Sequence, residues 1–133
     1  MRIRELPPEL RTTRKIGREE EITQTNLVAH LRWRAMPGVI WFAVPNGGPR
    51  SKASAGKLKA MGVRRGVHDL VFLMPGPGVF TLELKYADNK MTPEQEQFAR
   101  DIEAIGGEWA CAWTLDDALK ILEAIGAIRP EAE

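Results

Sequence analysis

Two apolar segments joined by a proline-glycine turn constrain the fold of this chain most strongly. Residues 67–74 and 79–86 are rich in β-branched, aromatic and aliphatic side chains, and the tetrapeptide 75–78 (Pro-Gly-Pro-Gly) separates them. This pattern predicts two strands of an antiparallel hairpin. If the numbers of paired residues sum to about 152, Asp69 lies beside Glu83, and directly opposed residues have Cβ atoms about 5 Å apart. We therefore expect two carboxylates to meet on this hairpin.

The rest of the chain alternates between helical and strand patterns. Helices are predicted over 18–35, 51–61, 92–106 and 114–125, and further strands over 39–44 and 108–113. The run 39–44 (Val-Ile-Trp-Phe-Ala-Val) is continuously apolar, which is typical of a strand buried on both faces. Thr92, Pro93 and Gln95 predict a helix start with a capping box. The order of elements indicates an α/β fold with a central mixed β-sheet flanked by α-helices.

Length and charge suggest how the chain is organised. Its 133 residues correspond to one domain. We predict a flexible basic arm over 1–17, a folded domain over 18–126 and a C-terminal tail over 127–133. Between residues 86 and 133, eleven acidic residues face only four basic ones, whereas Arg50 to Arg65 holds six basic residues and no acidic one. Such a basic stretch either attracts phosphates or forms a solvated helix face.

Several classes of protein are disfavoured by composition. No apolar run approaches the roughly 20 residues that a membrane-spanning helix needs, and the first residues show no apolar core of a signal peptide. The single cysteine, Cys111, excludes an internal disulfide framework and a cysteine-rich zinc site. Neither a G-x-G-x-x-G motif nor a P-loop is present, so a nucleotide-cofactor enzyme lacks support. We expect a soluble cytoplasmic protein.

The charged residues on the hairpin are the part of the sequence that indicates a chemical function. Glu83 and Lys85 share one face of their strand, and Leu84 faces the other way. Carboxylates held close together repel each other, and each raises the pKa of the other. A hard cation such as Mg²⁺ bound between them offsets this repulsion. The backbone carbonyl of Leu84 would be a further ligand, and Lys85 could stabilise charge on a phosphate. An E-x-K triplet alone is more often a simple edge-strand ion pair, but Asp69 on the preceding strand favours a site.

Four segments together resemble one known family, the VRR-NUC domain (virus-type replication-repair nuclease) of the restriction-endonuclease-like superfamily. They are residues 45–48 (PNGG), 57–69 (KLKAMGVRRGVHD), 83–85 (ELK) and 91–95 (MTPEQ). The resemblance covers roughly residues 19–125. It implies a Mg²⁺- or Mn²⁺-dependent DNA nuclease with a mixed sheet flanked by helices. It also implies a homodimer and an origin in phages or bacteria.

The resemblance assigns roles residue by residue. Asp69 and Glu83 match the metal ligands, and Lys85 matches the catalytic lysine. Glu20 matches a helical glutamate near the metal or its water, because it shares a helix face with the apolar stripe, and Glu21 is its competitor. Gln95 matches a glutamine that points back toward the site, while its capping role is an equally good interpretation.

One position departs from the family pattern, which usually has proline before the metal-binding aspartate. Here that residue is His68, whose side chain we expect to point to the face opposite Asp69. Eight residues are predicted to contact DNA: Asn46, Gly47, Arg50, Lys52, Lys57, Lys59, Arg64 and Arg65.

The function we infer from the sequence is metal-dependent hydrolysis of DNA backbone phosphodiesters, with branched or structured DNA as one class of substrate. The alternative is a non-catalytic DNA-binding or assembly module with the same fold.

Overall fold

The structure is a computed structural model that describes residues 19–45 and 51–131. The predicted arm over 1–17 and the predicted DNA contacts Asn46, Gly47 and Arg50 lie outside these residues. No helix within the described ranges is both long and apolar enough to cross a membrane. In chain order, the elements are α1 (Glu19–Arg34), β1 (Ile40–Ala43), α2 (Lys52–Ala60), β2 (Leu70–Met74), β3 (Gly78–Leu84), α3 (Pro93–Ala104), β4 (Glu108–Ala112) and α4 (Leu115–Ala124).

The four strands form a mixed sheet, as predicted, and their order in the sheet is β1-β2-β3-β4. β2 is antiparallel to both of its neighbours, β1 and β3, and β4 runs parallel to β3. Leu70 pairs with Leu82 across the hairpin, which is the register predicted from the turn. The next pair outward along this register is Asp69 and Glu83, so the hairpin brings the two carboxylates to one end of the sheet.

Helices cover both faces of the sheet. The main core lies on the face where Leu82 and Leu84 of β3 meet Leu27 and Leu31 of α1 and Ile121 of α4. The alternate residues of β3 point to the other face, where α3 packs against β3 and β4. Glu83 therefore lies on the α3 face, although the residue that follows it is part of the main core.

The prediction that the strand at 39–44 is buried on both faces is wrong. β1 is an edge strand in which Ile40 is 61% exposed, Phe42 is 45% exposed and Trp41 is half-buried. Leu73 of β2, which pairs with Ile40, is also exposed. α3 packs against β3 and β4 on one face of the sheet. It does not extend over β1 and β2, so their side chains on that face are left uncovered.

The folded part of the chain also extends past residue 126, into the segment predicted to be a tail. Ala127 and Ile128 are buried with the main core, and Ile128 forms a β-bridge with Ala35. The backbone N–H of Arg129 donates to the carbonyl of Arg34 at 2.8 Å. Residues 127–129 are thus part of the folded domain and are attached to the C-terminal end of α1.

Candidate active site

Asp69 stands immediately before β2 and is held by both neighbouring strands. Its Oδ2 atom accepts a hydrogen bond of 2.7 Å from the backbone N–H of Leu84. Its backbone carbonyl accepts a hydrogen bond of 2.8 Å from the N–H of Val44, just after β1. These two bonds fix the carboxylate beside the end of β3, between the positions of Glu83 and Lys85.

Glu83 and Lys85 form a buried ion pair. Lys85 Nζ lies 3.1 Å from Glu83 Oε2, and the two residues are only 8% and 2% exposed, respectively. The contact confirms that the two side chains share one face of the strand. The second carboxylate oxygen of Glu83, Oε1, is buried without a hydrogen-bond partner in the described structure. A buried unpartnered carboxylate oxygen is costly, so this atom marks a place where a ligand would be stabilising.

The protonation of Glu83 reflects this environment. Burial, followed by the nearby charge of Asp69, raises the pKa of Glu83 to about 8, and Lys85 offsets only part of that rise. Glu83 therefore holds its proton more tightly than an ordinary carboxyl does. A cation that entered the site would therefore compete with a proton for Glu83.

Glu20 enters the site from the first turn of α1. Burial raises the pKa of Glu20, the charge of Lys85 lowers it, and the charge of Asp69 raises it further. Glu21, in contrast, is exposed. An open cleft of about 390 Å³ lies beside this helix, and its lining residues are Glu20, Glu21, Gln24, Thr25, Val28 and Asp69. This geometry favours Glu20 over Glu21 as the helical acid of the site.

His68 has a structural position that the sequence did not predict. Its Nδ1 atom lies 2.8 Å from the hydroxyl of Thr81, and its Nε2 atom lies 3.0 Å from the carbonyl of Gln95. Because a carbonyl can only accept, Nε2 carries the proton and Nδ1 accepts from Thr81. The ring also makes an edge contact with Phe98, with centroids 4.8 Å apart.

His68 lies on the Glu83 side of the sheet, and its orientation relative to the Asp69 side chain stays a prediction. Thr81 and Glu83 lie two residues apart on β3 and share a face, so the His68 ring is on the Glu83 side of the sheet. Strand alternation does not apply to His68, since β2 begins only at Leu70. Burial lowers the pKa of His68 to about 4, which keeps the ring neutral. His68 connects the start of β2 to β3 and α3.

Gln95 performs the capping role predicted for it. Its side-chain oxygen accepts a hydrogen bond of 2.9 Å from the N–H of Thr92, whose hydroxyl accepts in return from the N–H of Gln95. Its backbone carbonyl accepts a hydrogen bond from Nε2 of His68. Gln95 thus caps the N-terminus of α3. A direct role of Gln95 in catalysis stays a prediction.

The predicted DNA contacts within the described residues fall into two groups. Lys52, Lys57 and Lys59 are exposed on α2, and Arg65 is exposed just before β2. Arg64 is different, because it forms an ion pair with Asp101 on α3 and its guanidinium lies 5.1 Å from the centroid of the Phe98 ring. Arg64 therefore fastens the segment after α2 to α3.

The donor atoms present fit a divalent cation held by few protein ligands. In the described ranges no three His, Cys, Asp or Glu side chains converge as a metal cluster. Two carboxylates, Asp69 and Glu83, do converge, and Glu83 Oε1 is unpartnered. Mg²⁺ commonly takes one or two carboxylates and keeps several waters, so the site suits that ion better than it suits zinc.

The mixed sheet with helices on both faces is an α/β arrangement consistent with a restriction-endonuclease-like fold. The chain is similar to a solved structure described as a VRR_NUC domain protein, with a TM-score of 0.67 over 83% of this chain and 89% of that chain. The two sequences are 19% identical. This chain has the VRR_NUC fold. No family model and no curated protein matches its sequence.

Proposed function

We propose that this protein is a divalent-metal-dependent nuclease that hydrolyses backbone phosphodiesters of DNA. One observation supports the proposal most directly: the unpartnered Oε1 of buried Glu83, next to the carboxylate of Asp69 and the ammonium of Lys85. A buried carboxylate oxygen without a partner calls for an explanation, and a cation bound beside Asp69 would supply one. The similarity to a VRR_NUC domain protein adds a nuclease-type fold to this local geometry.

The residues would divide the work by their positions. Asp69, Glu83 and the carbonyl of Leu84 would hold Mg²⁺ or Mn²⁺, which when bound would supply Lewis-acid chemistry at the scissile phosphate. Lys85 would direct its fixed positive charge at the phosphate as negative charge develops. Glu20, with its raised pKa and its place in the cleft, would accept or return a proton of the attacking water.

The test is a cleavage assay on DNA of several shapes. Labelled linear, nicked, flap and four-way-junction DNA are incubated with the protein and Mg²⁺, Mn²⁺ or a chelator. We expect metal-dependent cleavage of at least one DNA, and a decrease of about 10²–10³-fold for Lys85→Ala. Lys90→Ala is the matched control, because Lys90 is an exposed lysine shortly after β3. Wild-type activity in Lys85→Ala, or no product from any DNA, would reject the proposal.

The alternative function is a DNA-binding or assembly module without catalysis. It predicts binding that is indifferent to Mg²⁺ and unchanged by Glu83→Gln. Exposed cations on α2 are compatible with both functions. The buried pair and the unpartnered oxygen favour the nuclease, because phosphate binding alone needs neither.

The homodimer implied by the resemblance stays a prediction, and light scattering of the purified protein measures it directly. The exposed apolar face of β1 gives a place to look, because large exposed apolar patches are typical of interfaces. If two copies meet there, Phe42→Glu should yield a monomer, whereas the same charge at exposed Ala124 should leave the dimer intact.

A further inference from the structure

The helix α2 stands apart from the rest of the fold. None of its residues is buried, and only Leu58 is half-buried. The segment that follows it is nevertheless fixed to α3. Arg64 pairs with Asp101, and Gly66 packs so tightly that a Cβ there would lie 2.5 Å from the backbone of Glu94. α2 is therefore an exposed helix whose C-terminal connection is attached to α3.

One side of α2 carries the charge. Lys52, Gly56 and Lys59 are spaced i, i+4, i+7 and so lie along the same side of the helix. With a rise of 1.5 Å per residue, the two lysines are about 10 Å apart along the axis. In the described part of the chain, no acidic side chain pairs with either lysine. This side therefore offers two free cations to a polyanion.

Gly56 lies between these lysines, and packing within the described part of the chain does not require glycine there. A Cβ at Gly56 would meet no atom within 4 Å. Glycine in the interior of a helix is destabilising relative to alanine. The missing side chain would instead allow a partner's backbone to approach the helix closely between the two cations.

The chemistry of α2 also indicates which form of nucleic acid would bind. Residues 51–65 contain no aromatic side chain on which an unpaired base could stack. Lysines act as point charges that contact phosphates without selecting a base. These features fit the regular phosphate backbone of a duplex better than a single strand.

We propose that α2 docks on the sugar–phosphate backbone of duplex DNA and holds the duplex beside the cleft at Asp69. The proposal rests on the proposed function and names the part of the substrate that it requires. The nine Cα-to-Cα steps from Ala60 to Asp69 can span at most about 32 Å. One turn of duplex is about 34 Å long. The C-terminal end of α2 therefore lies within about one helical turn of duplex from Asp69.

Binding is measured by fluorescence anisotropy with a chelator present, so that no cleavage occurs. The probes are a duplex of about two turns and one of its strands alone, titrated between about 50 and 200 mM salt. We expect the duplex to bind more tightly than the strand. Lys52→Ala and Lys59→Ala should each reduce the slope of log K against log salt by about 0.9. Lys120→Ala, which removes an exposed lysine of α4, is the matched control and should leave the slope unchanged.

Gly56→Ala separates docking from stability. It should raise the melting temperature, because alanine favours the helix, and yet weaken duplex binding several-fold. Ser54→Ala is its control, since it favours the same helix away from the lysine side and should leave binding unchanged. Gly56→Ala binding as tightly as wild type, unchanged salt slopes in the lysine variants, or a strand that binds as well as the duplex would overturn docking by α2.

The two proposals fail in different ways. Suppose that no DNA is cleaved, but the lysine variants show a smaller slope of log K against log salt than wild type. The nuclease proposal then fails, and the proposal that α2 docks on duplex DNA stands. If wild type cleaves DNA and the three α2 variants show an unchanged KM, the docking helix fails and the nuclease proposal stands.

Discussion

The backbone N–H of Leu84 donates a 2.7 Å hydrogen bond to Oδ2 of Asp69, which joins the start of β2 to the end of β3. Leu84 lies between Glu83 and Lys85, so the carboxylate of Asp69 is positioned by the same peptide units that carry the other two charged groups. One hydrogen bond thereby links three residues that come from two strands.

This bond leads to a prediction for two variants of Asp69. Asp69→Asn keeps an oxygen that can accept from Leu84 but removes the negative charge, so it should remain close to wild type in stability. Metal affinity should fall about 100-fold, as measured by titration calorimetry with Mn²⁺. Asp69→Ala should lose the same metal affinity and also unfold at lower urea concentration. Asn with wild-type Mn²⁺ affinity would contradict the assignment of Asp69 as a ligand.

Glu83 should make stability and metal affinity depend on pH in opposite ways. Its pKa is raised to about 8 in the folded state from 4.5, so the folded protein binds the proton more tightly than the unfolded chain does. The stabilisation is present below pH 4.5 and is lost as the pH rises toward 8. Denaturant unfolding of wild type and Glu83→Gln, compared at each pH, should show this difference. Mn²⁺ affinity should rise over the same range, because the cation displaces the proton; a flat affinity profile would contradict it.

His68 should make the fold sensitive to acid. Its pKa is lowered from 6.5 to about 4 by burial, so protonation favours the unfolded chain. Stability is full above pH 6.5 and should fall as the pH drops toward 4, by up to about 3 kcal/mol. His68→Gln removes the titrating group, so the melting temperature of this variant relative to wild type should rise as the pH falls. His30 is the control, since it lies on α1 and shows no such hydrogen bonds to strand and helix; His30→Gln should leave the acid sensitivity in place.

Gly66 should be intolerant of a side chain. Its φ of +85° already disfavours other residues, and an added Cβ would lie 2.5 Å from the backbone of Glu94. Gly62→Ala is the matched control, because Gly62 has a similar φ of +92° but open space around it. We expect Gly62→Ala to cost about 1–2 kcal/mol from the backbone alone and Gly66→Ala to cost clearly more, as measured by urea unfolding. Equal costs would show that the contact with α3 is not tight.

Local chemistry explains what could be predicted from the sequence. The turn at 75–78 sets the hairpin register, and the register places Asp69 beside Glu83. Thr92 and Gln95 cap α3 through contacts three residues apart, which any chain of this sequence can form. Strand alternation puts Lys85 on the Glu83 side. Each of these features depends on neighbours that are close in the sequence.

The sequence by itself therefore determined the hairpin, the helix ends and the pairing of the charged triplet, because short-range geometry specifies them. Tertiary structure alone decided that β1 lies at the edge, that Ile128 returns to α1, and that Arg64 and His68 attach to α3. These contacts join residues 27 to 93 positions apart, and they depend on which surfaces the packed helices leave open. Periodicity in the sequence reports which side of an element is apolar, but not which partner covers it.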